Sequence, residues 1–573
     1  MRGLIDRLVA SAREPGTAPR AIRTAICLAV PVAVGLIAGA PASGAVASFG
    51  SFVGFYAHRE PYRWRAGLLA GLAFGFAVAV AVGTLAAPST LATALAPAAF
   101  AAVATFVCIG IELAPPREYL MVLVCLASTG LPADPGAWAS RAGLALAGAG
   151  FAWLVTMSGG LWEPRRPERQ ALVAALDRVE AALDKPESVE RRRDAVRSVR
   201  TARHAILRAG PGREDFRAAL LGLEELLSAA LSVGFVGEAE PTRRRIDLAR
   251  ADIEAAEERR GEAPEELRVL SAPQMLRAAA SARSLAPPTA ARMGIAIAIA
   301  GGAGAAIHAT NGYWIPLTVA AALQGTSPFH ARRRALERAG GTAVGAVFAS
   351  GLIALGPAPG AIVAIIAVLQ ALTETAVPVF YALGVALLTP IPILLLHVAD
   401  PQPAVGHFVV ARLLDTAIGC AIAILVAATI WPRAAQRRLA EADRAGFTAA
   451  AELILALTMA PGPQKPGLVE RGRRRAQAAT VAMRVLVDAS LGERGGPGAA
   501  VEGPGVERLL MLAIGAGAEA HAMSEPGRAE LAAALARIEA ALPSAPDPPP
   551  AVPDIPGLPR TTGELRHLAA PST

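Results

Sequence analysis

Apolar residues in this chain gather into long uninterrupted runs. No Asp, Glu, Lys or Arg occurs in 24–57, 66–111, 142–162, 293–331, 339–373, 375–399 or 416–432. A helix that crosses a bilayer needs roughly 20 predominantly apolar residues, and the runs group into two blocks, 21–162 and 289–432. The first reads as spans over 21–40, 42–57, 66–87, 91–113, 118–133 and 140–162. The second reads as spans near 290–308, 311–325, 335–356, 358–373, 376–398 and 406–431. In the first block the second and fifth spans are short, so they are expected to be tilted, broken or shielded by neighbours.

Between and after these blocks the pattern changes. Residues 163–288 are rich in Glu, Arg and Ala, with apolar positions three and four apart: Leu172, Leu176, Val179, Leu183, then Val189, Val196, Val199 and Ile206. That spacing predicts amphipathic helices in a soluble bundle. Breaks at Pro186, Gly210-Pro211-Gly212, Pro241 and Pro264 suggest about five of them. Residues 433–542 repeat the pattern and predict a second bundle. Residues 1–20 form a short basic head that does not read as a cleavable signal peptide. The proline-rich tail over 543–573 is expected to be disordered. The fold class is therefore all-α: a polytopic membrane protein with two six-helix transmembrane repeats and two cytoplasmic helical bundles.

Composition sharpens this reading. The chain has 573 residues, 54% of them hydrophobic and 18% charged, and a net charge of +8. Soluble domains carry about 25% charged residues, so an ordinary soluble enzyme is excluded. The arginines are placed by topology. With the N-terminus in the cytoplasm, Arg59, Arg63, Arg65, Arg117, Arg165, Arg166, Arg169, Arg332, Arg333, Arg334, Arg338, Arg433, Arg437 and Arg438 all fall on the cytoplasmic side, as the positive-inside rule requires. Both polar blocks then lie in the cytoplasm. Nucleic acid is not an expected partner; the lipid bilayer is. The four cysteines (Cys27, Cys108, Cys125, Cys420) lie in apolar sequence without metal or disulfide spacing. No nucleotide-binding or hydrolase string is present, so no enzyme activity, cofactor or metal site is expected.

The two apolar blocks look like copies of each other. Arg65-Ala66-Gly67 matches Arg338-Ala339-Gly340 at the entry to the third span. Glu112 precedes Tyr119 by seven residues, and Glu374 precedes Tyr381 by seven. Arg141 with Gly148 matches Arg412 with Gly419 in the sixth span. An even number of spans gives both copies the same orientation. A pseudo-two-fold axis along the membrane normal follows, with any site near the interface of the copies.

The second block carries the string Gly312-Tyr313-Trp314-Ile315-Pro316-Leu317-Thr318, then Gln324, the cluster Arg332–Arg334, and Arg338-Ala339-Gly340-Gly341-Thr342. Leu388-Thr389-Pro390 and Arg412-Leu413-Leu414-Asp415-Thr416 follow. This resembles the fusaric acid resistance protein-like family, which includes bacterial inner-membrane exporters of aromatic carboxylic acids. The plant aluminium-activated malate channels look like a distant six-span relative. The first block departs from the pattern, with Ser48-Phe49-Gly50-Ser51-Phe52 where a Gly-Tyr-Trp string is expected, so the better-formed part of a site is expected on the second block.

Several residues are candidates for substrate binding. Arg412 and Arg141 are cations at or inside a span, where a charge is costly unless paired or wetted, and a guanidinium holds a carboxylate through two parallel hydrogen bonds. Asp415, three residues after Arg412, is placed to pair with it, and the pair reads as a proton-sensitive latch. A permanent salt bridge or a snorkelling Arg is the plainer alternative. Tyr313 and Trp314 offer ring faces to an aromatic substrate or belong to an interfacial belt. Thr318 and Gln324 are set to bind a carboxylate or to pack helices. Asp415, Glu112 and Glu374 are the candidate proton-coupling groups, with solvated boundary positions the simpler account of the two glutamates.

Together these readings point to export of organic anions, aromatic carboxylates by the resemblance, across the inner (plasma) membrane and driven by the proton gradient. A passive anion channel and a non-transport scaffold for envelope proteins are the alternatives. Besides a small organic anion, the partners to consider are a second copy of the chain and, as the resemblance implies, a periplasmic adaptor protein.

Overall fold

The computed structural model describes residues 16–185, 188–210, 214–233, 239–255, 271–281, 284–307, 312–324, 328–399, 405–431, 434–462, 464–490, 503–516, 521–542 and 549–570. Most of the basic head, Pro186, Pro211, Gly212, Pro264 and Arg433 lie outside the described residues. Every regular element among them is helical. The chain divides into two compact units. The first is Met1–His58, Trp64–Glu163 and Leu270–Pro432; the second is Arg59–Arg63, Pro164–Val269 and Arg433–Thr573.

The first unit holds the apolar blocks. Its first half contains α1 (Thr17–Ile37), α2 (Pro41–Ser51), α3 (Tyr62–Ala86), α4 (Thr90–Gly110), α5 (Tyr119–Thr129) and α6 (Trp138–Met157), followed by the one-turn α7 (Gly159–Trp162). Seven of the described helices are long and apolar enough to cross a membrane, and Tyr119–Thr129 and Tyr381–Leu395 are shorter apolar helices. This is a multi-pass membrane protein. The expected short second and fifth elements are short here: α2 has 11 residues and continues as a four-residue 3-10 turn, and α5 has 11. At about 1.5 Å per residue, 11 residues reach roughly 16 Å, about half the hydrocarbon thickness. Local chemistry sets these ends. Gly39 takes a φ of +69° between α1 and α2, a conformation open to glycine at little cost. Pro41 then starts α2 at a position where no backbone N–H is needed.

The second apolar block follows the same order. It is reached through α8 (Arg166–Asp184), α9 (Val189–Ala209), α10 (Glu214–Val233) and α11 (Ala239–Ala255) of the other unit, and the short α12 (Ala272–Ala279). Then come α13 (Ala286–Ile307), α14 (Trp314–Ala322), α15 (Pro328–Ala354), α16 (Pro359–Ala376), α17 (Tyr381–Leu388), α18 (Pro390–Ala399) and α19 (Val405–Thr429). Pro390 lacks a backbone N–H to continue α17, and the expected fifth span of this block is broken there into two helices.

Packing within the unit is reciprocal. In the first half α2 lies on α6, and in the second α14 lies on α19. Between halves, α1 packs on α16 and α13 on α4; likewise α14 contacts α5 and α18 contacts α2. Leu28 and Val32 of α1 interdigitate with Ile362, Ile366 and Leu369 of α16 in one apolar cluster. Ala98 and Ala101 of α4 share another with Met293, Ile297 and Ala300 of α13. Small residues make these approaches close, as expected for helices that lipid does not drive together.

The second unit is made of α8 to α11 with α20 (Ala434–Leu457), α21 (Lys465–Ser490), α22 (Gly503–Gly515), α23 (Glu525–Ala541) and α24 (Pro559–Ala569). Leu172, Leu176, Val179, Leu183, Val196, Val199 and Ile206 are buried as the periodicity predicts, whereas Val189, the first residue of α9, is exposed. Pro241 does not break a helix; it sits in the first turn of α11, where proline is tolerated. The expectation of two separate bundles is corrected. Leu172, Phe216 and Leu223 share one apolar core with Phe447, Leu453, Leu510 and Leu535. Ion pairs join the same elements: Arg193 of α9 with Glu507 of α22, and Arg203 of α9 with Glu224 of α10 and, at 3.6 Å, Glu470 of α21. Burial pushes the Glu224 carboxyl above its usual range, against the pull of Arg203.

The expectation of a disordered tail is also corrected for 549–570. Val552, Ile555 and Leu558 are buried in the shared core, and α24 adds Leu565 and Ala569. A turn at Pro556-Gly557, closed by the Leu558 N–H donating to the Ile555 carbonyl at 2.9 Å with Gly557 at a φ of +79°, brings Ile555 and Leu558 to the same core.

A buried polar seam as the candidate functional site

Helices α15 and α19 pack against each other, and their contact is not wholly apolar. Arg338 and Thr342 on α15, and Arg412, Asp415 and Thr416 on α19, are all buried. The Cys420 thiol of α19 donates to the Ala335 carbonyl of α15 at 3.2 Å, which fixes the register of the seam. The Thr416 hydroxyl donates to the Arg412 carbonyl at 2.7 Å, so it is spent on its own helix. All four cysteines are free and buried.

Arg412 is the centre of the site. Only 4% of it is exposed. Its guanidinium carbon stands 3.9 Å from the centre of the Trp314 ring on α14, a cation–π contact worth on the order of 2 kcal/mol when desolvated. Its Nη1 has no hydrogen-bond partner among the described residues. A buried guanidinium with an unused donor is costly and is suited to receive an acceptor oxygen. Tyr313 stacks beside Trp314 with ring centres 4.8 Å apart. It is held against Gly130 at the end of α5, where a β-carbon would come within 2.4 Å of the Tyr313 ring. The two rings and Arg412 therefore form one surface at the junction of the two halves.

Asp415 is 2% exposed, and its Oδ2 also has no hydrogen-bond partner among the described residues. The expected ion pair with Arg412 is not formed within 4 Å. The Arg412 side chain extends toward α14 and the Trp314 face instead, leaving the carboxylate beside the cation but not on it.

The other candidates are dispersed. Thr318 is fully buried and donates to the Trp314 carbonyl at 3.0 Å, and its Cβ abuts Gly419 of α19; it packs helices. The Gln324 backbone carbonyl accepts from Arg334 at 2.6 Å, which places Gln324 in a loop contact. Arg141 donates to the Pro132 carbonyl at 3.0 Å, tying down the turn before α6, and is not gathered with Arg412. Glu112 is exposed at the end of α4 with a φ of +53°. Glu374 pairs with Arg20 at 3.3 Å. Glu112 thus stands at the surface, while Glu374 is mostly buried, its side chain 17% exposed.

Arg338 is not among the substrate-binding residues expected from the sequence, where a loop arginine that gathers anions at the cytoplasmic mouth is the alternative to a purely topological charge. Its place at a basic helix entry is explained by topology, yet the structure buries it with the Tyr119 ring centre 5.8 Å from its guanidinium carbon. Glu118, the buried residue before Tyr119, faces Arg117 at 3.5 Å. A cavity of about 430 Å³ at the turn between α20 and α21 is lined by Lys465, Glu470 and Arg473 among others and contains none of the candidate residues.

Residues 296–426, which include Trp314, Arg338, Arg412 and Asp415, match the model of the fusaric acid resistance protein-like family. The matched segment is the one whose residues carry the resemblance read from the sequence. Over 469 residues the chain is 29% identical to YvaC, an uncharacterized membrane protein of Bacillus subtilis (strain 168), covering 74% of this chain and 74% of that protein. No solved structure matches. The fusaric acid resistance-like segment thus spans α13 to α19 and holds all of the seam described above, whereas the first half lies outside the family match.

Proposed function

We propose that this protein exports organic anions, aromatic carboxylates among them, from the cytoplasm across the inner (plasma) membrane, driven by the proton gradient. One observation carries the reading: Arg412 is buried in the membrane unit, stacked on Trp314, with an unpartnered N–H beside an Asp415 that does not neutralise it. A carboxylate on the free edge of the guanidinium satisfies that donor, and an aryl group beside it meets the Tyr313 and Trp314 faces. Family membership of this segment supports a membrane transport role.

The scaffold belongs to the same reading: two six-helix copies in parallel orientation, twelve membrane helices, with the N-terminus and the polar unit in the cytoplasm. Reciprocal contacts between the halves, α1 on α16 and α4 on α13, support a pseudo-two-fold, since an axis of that kind makes every contact occur twice. The direction of export has a physical basis. An anion leaving a cytoplasm held negative gains about 2.3 kcal/mol per 100 mV of membrane potential. Asp415 then acts as a latch, since its protonation leaves Arg412 free to hold the substrate and its ionisation competes for the same cation.

Uptake of labelled benzoate into inverted vesicles tests this. Wild-type vesicles are expected to accumulate the anion on energisation and to lose it when a protonophore is added. Arg412→Ala is expected to abolish accumulation with membrane insertion intact. Transport retained by that variant overturns the reading, and flux that survives the protonophore points to a channel.

A further inference from the structure

Arg338 is a buried cation that topology does not require. An arginine placed only by orientation sits in water or snorkels to it. Arg338 is 5% exposed, and its Nε has no hydrogen-bond partner among the described residues. Its surroundings are phenolic. Tyr119 of α5 lies beneath it at 5.8 Å, and Tyr381 of α17 neighbours the same stretch of α15, its ring centre 5.8 Å from the guanidinium carbon of Arg334 one turn before. These tyrosines come from opposite halves and hold matching places in them, each seven residues after a glutamate. No carboxylate among the described residues forms an ion pair with Arg338, whereas Arg412 is near enough for the two cations to repel.

In the substrate-holding state of the latch Asp415 is protonated, so the seam has two buried guanidiniums and, with Glu118 paired to Arg117 at 3.5 Å, no ionised carboxylate to spare. A single monocarboxylate on Arg412 then leaves Arg338 without a counter-ion, and a buried unpaired cation is expensive. We propose that Arg338, flanked by Tyr119 and Tyr381, is a second anion-coordinating site that takes the second acid group of a dianionic organic acid whose first carboxylate rests on Arg412. The proposal builds on the reading of Arg412 as the carboxylate receptor. The phenol hydroxyls add neutral donors to the same oxygens, so the site recognises an oxyanion by three groups drawn from both halves.

The test uses the full-length protein in lipid nanodiscs, titrated near neutral pH with benzoate as monoanion and isophthalate as dianion. One charge-assisted contact favours isophthalate by roughly 10-fold or more. Arg338→Gln is expected to erase that preference, with isophthalate losing far more affinity than benzoate; Arg338→Lys is expected to keep part of it, and Arg412→Gln to lose both ligands. Should Arg338→Gln fail to fold, the pair Tyr119→Phe and Tyr381→Phe keeps the rings and the cation and is expected to weaken isophthalate alone by roughly threefold. The proposal is overturned if the wild type does not prefer isophthalate, if Arg338→Gln keeps the preference, or if the phenylalanine pair leaves isophthalate unaffected. Arg412→Gln binding both ligands normally overturns the function proposed above and this site with it; Arg412→Gln inactive with Arg338→Gln indifferent overturns this site alone.

Discussion

Arg20, at the start of the first helix of one membrane half, pairs with Glu374 near the end of the fourth helix of the other, Nε to Oε2 at 3.3 Å. Gln370 donates to the same carboxylate at 3.4 Å. A glutamate held by a guanidinium and an amide is a structural fastener, so Glu374→Gln is expected to leave the proton dependence of transport unchanged. With both side chains partly exposed, the loss of stability is expected to be about 1 kcal/mol, read as a small drop in the melting temperature of the detergent-solubilised protein. A lost or displaced pH profile of transport would return Glu374 to the list of proton carriers.

His58, just beyond the 3-10 turn that follows α2, is expected to make the membrane unit acid-sensitive. Burial first, then the guanidiniums of Arg23, Arg20 and Arg65, hold its imidazole well below the usual value. Its Nδ1 faces the Arg23 guanidinium and its carbonyl accepts from Arg65 at 2.9 Å, while Glu374 on α16 is taken up by Arg20. The folded state keeps the ring neutral, whereas the unfolded chain takes up a proton near pH 6.5. As pH falls below about 6.5 the unfolded state binds more protons and stability is lost, by up to about 1.4 kcal/mol per pH unit. His58→Gln is expected to flatten the melting profile over that window. An equally steep profile in the variant would show that another group is responsible.

The helices of the membrane unit were legible because uninterrupted apolar runs have few other physical meanings; observed boundaries such as Tyr62–Ala86 and Ala286–Ile307 fall within four residues of the spans read from sequence. The short second and fifth elements were legible for the same reason. Arg412 was found because a cation several residues into an apolar run is anomalous. Arg338 is not singled out as substrate-binding because it stands at a basic loop boundary, where orientation already accounts for a positive charge. Arg141 matches Arg412 in order along the copies; its Nη2 donates to the exposed Pro132 carbonyl at 3.0 Å, and its Nη1 has no hydrogen-bond partner among the described residues. Amphipathic stripes such as Leu172 to Leu183 announce that a face is buried without naming what covers it, so the fusion of the two polar blocks into one core was not legible.

The C-terminal segment is expected to be part of that core in solution. Val552, Ile555, Leu558 and Leu565 are each almost fully buried, and Arg566 clamps the segment by donating to the Val552 carbonyl at 3.1 Å and to Asp554 at 2.8 Å. Burying a Val, Leu or Ile side chain contributes about 1.5–3 kcal/mol. A chain ending at Pro548 is therefore expected to melt well below the full-length protein, and the intact tail to resist limited proteolysis. Equal melting temperatures, or rapid trimming of the native tail, would restore the reading of disorder.

Gly148 and Gly419 give the sharpest test of equivalence between the halves. A β-carbon on Gly148 of α6 would stand 1.9 Å from the Ala47 carbonyl oxygen of α2; one on Gly419 of α19 would stand 2.7 Å from the Ile315 carbonyl oxygen of α14. Each glycine thus lets the sixth helix of its half close on the second. Gly143 on α6 and Gly340 on α15 have open space at the same position. Alanine is favoured over glycine inside a helix by about 0.8–1 kcal/mol, so Gly143→Ala and Gly340→Ala are expected to raise the melting temperature slightly. At Gly148 and Gly419 the overpacking cost, typically 1–3 kcal/mol, outweighs that gain, and both alanine variants are expected to lower it. The sign of the change, read by thermal denaturation followed by size exclusion, separates packing from propensity. If Gly148→Ala destabilises while Gly419→Ala stabilises, the two helix pairs are not equivalent and the pseudo-two-fold loses its best local support.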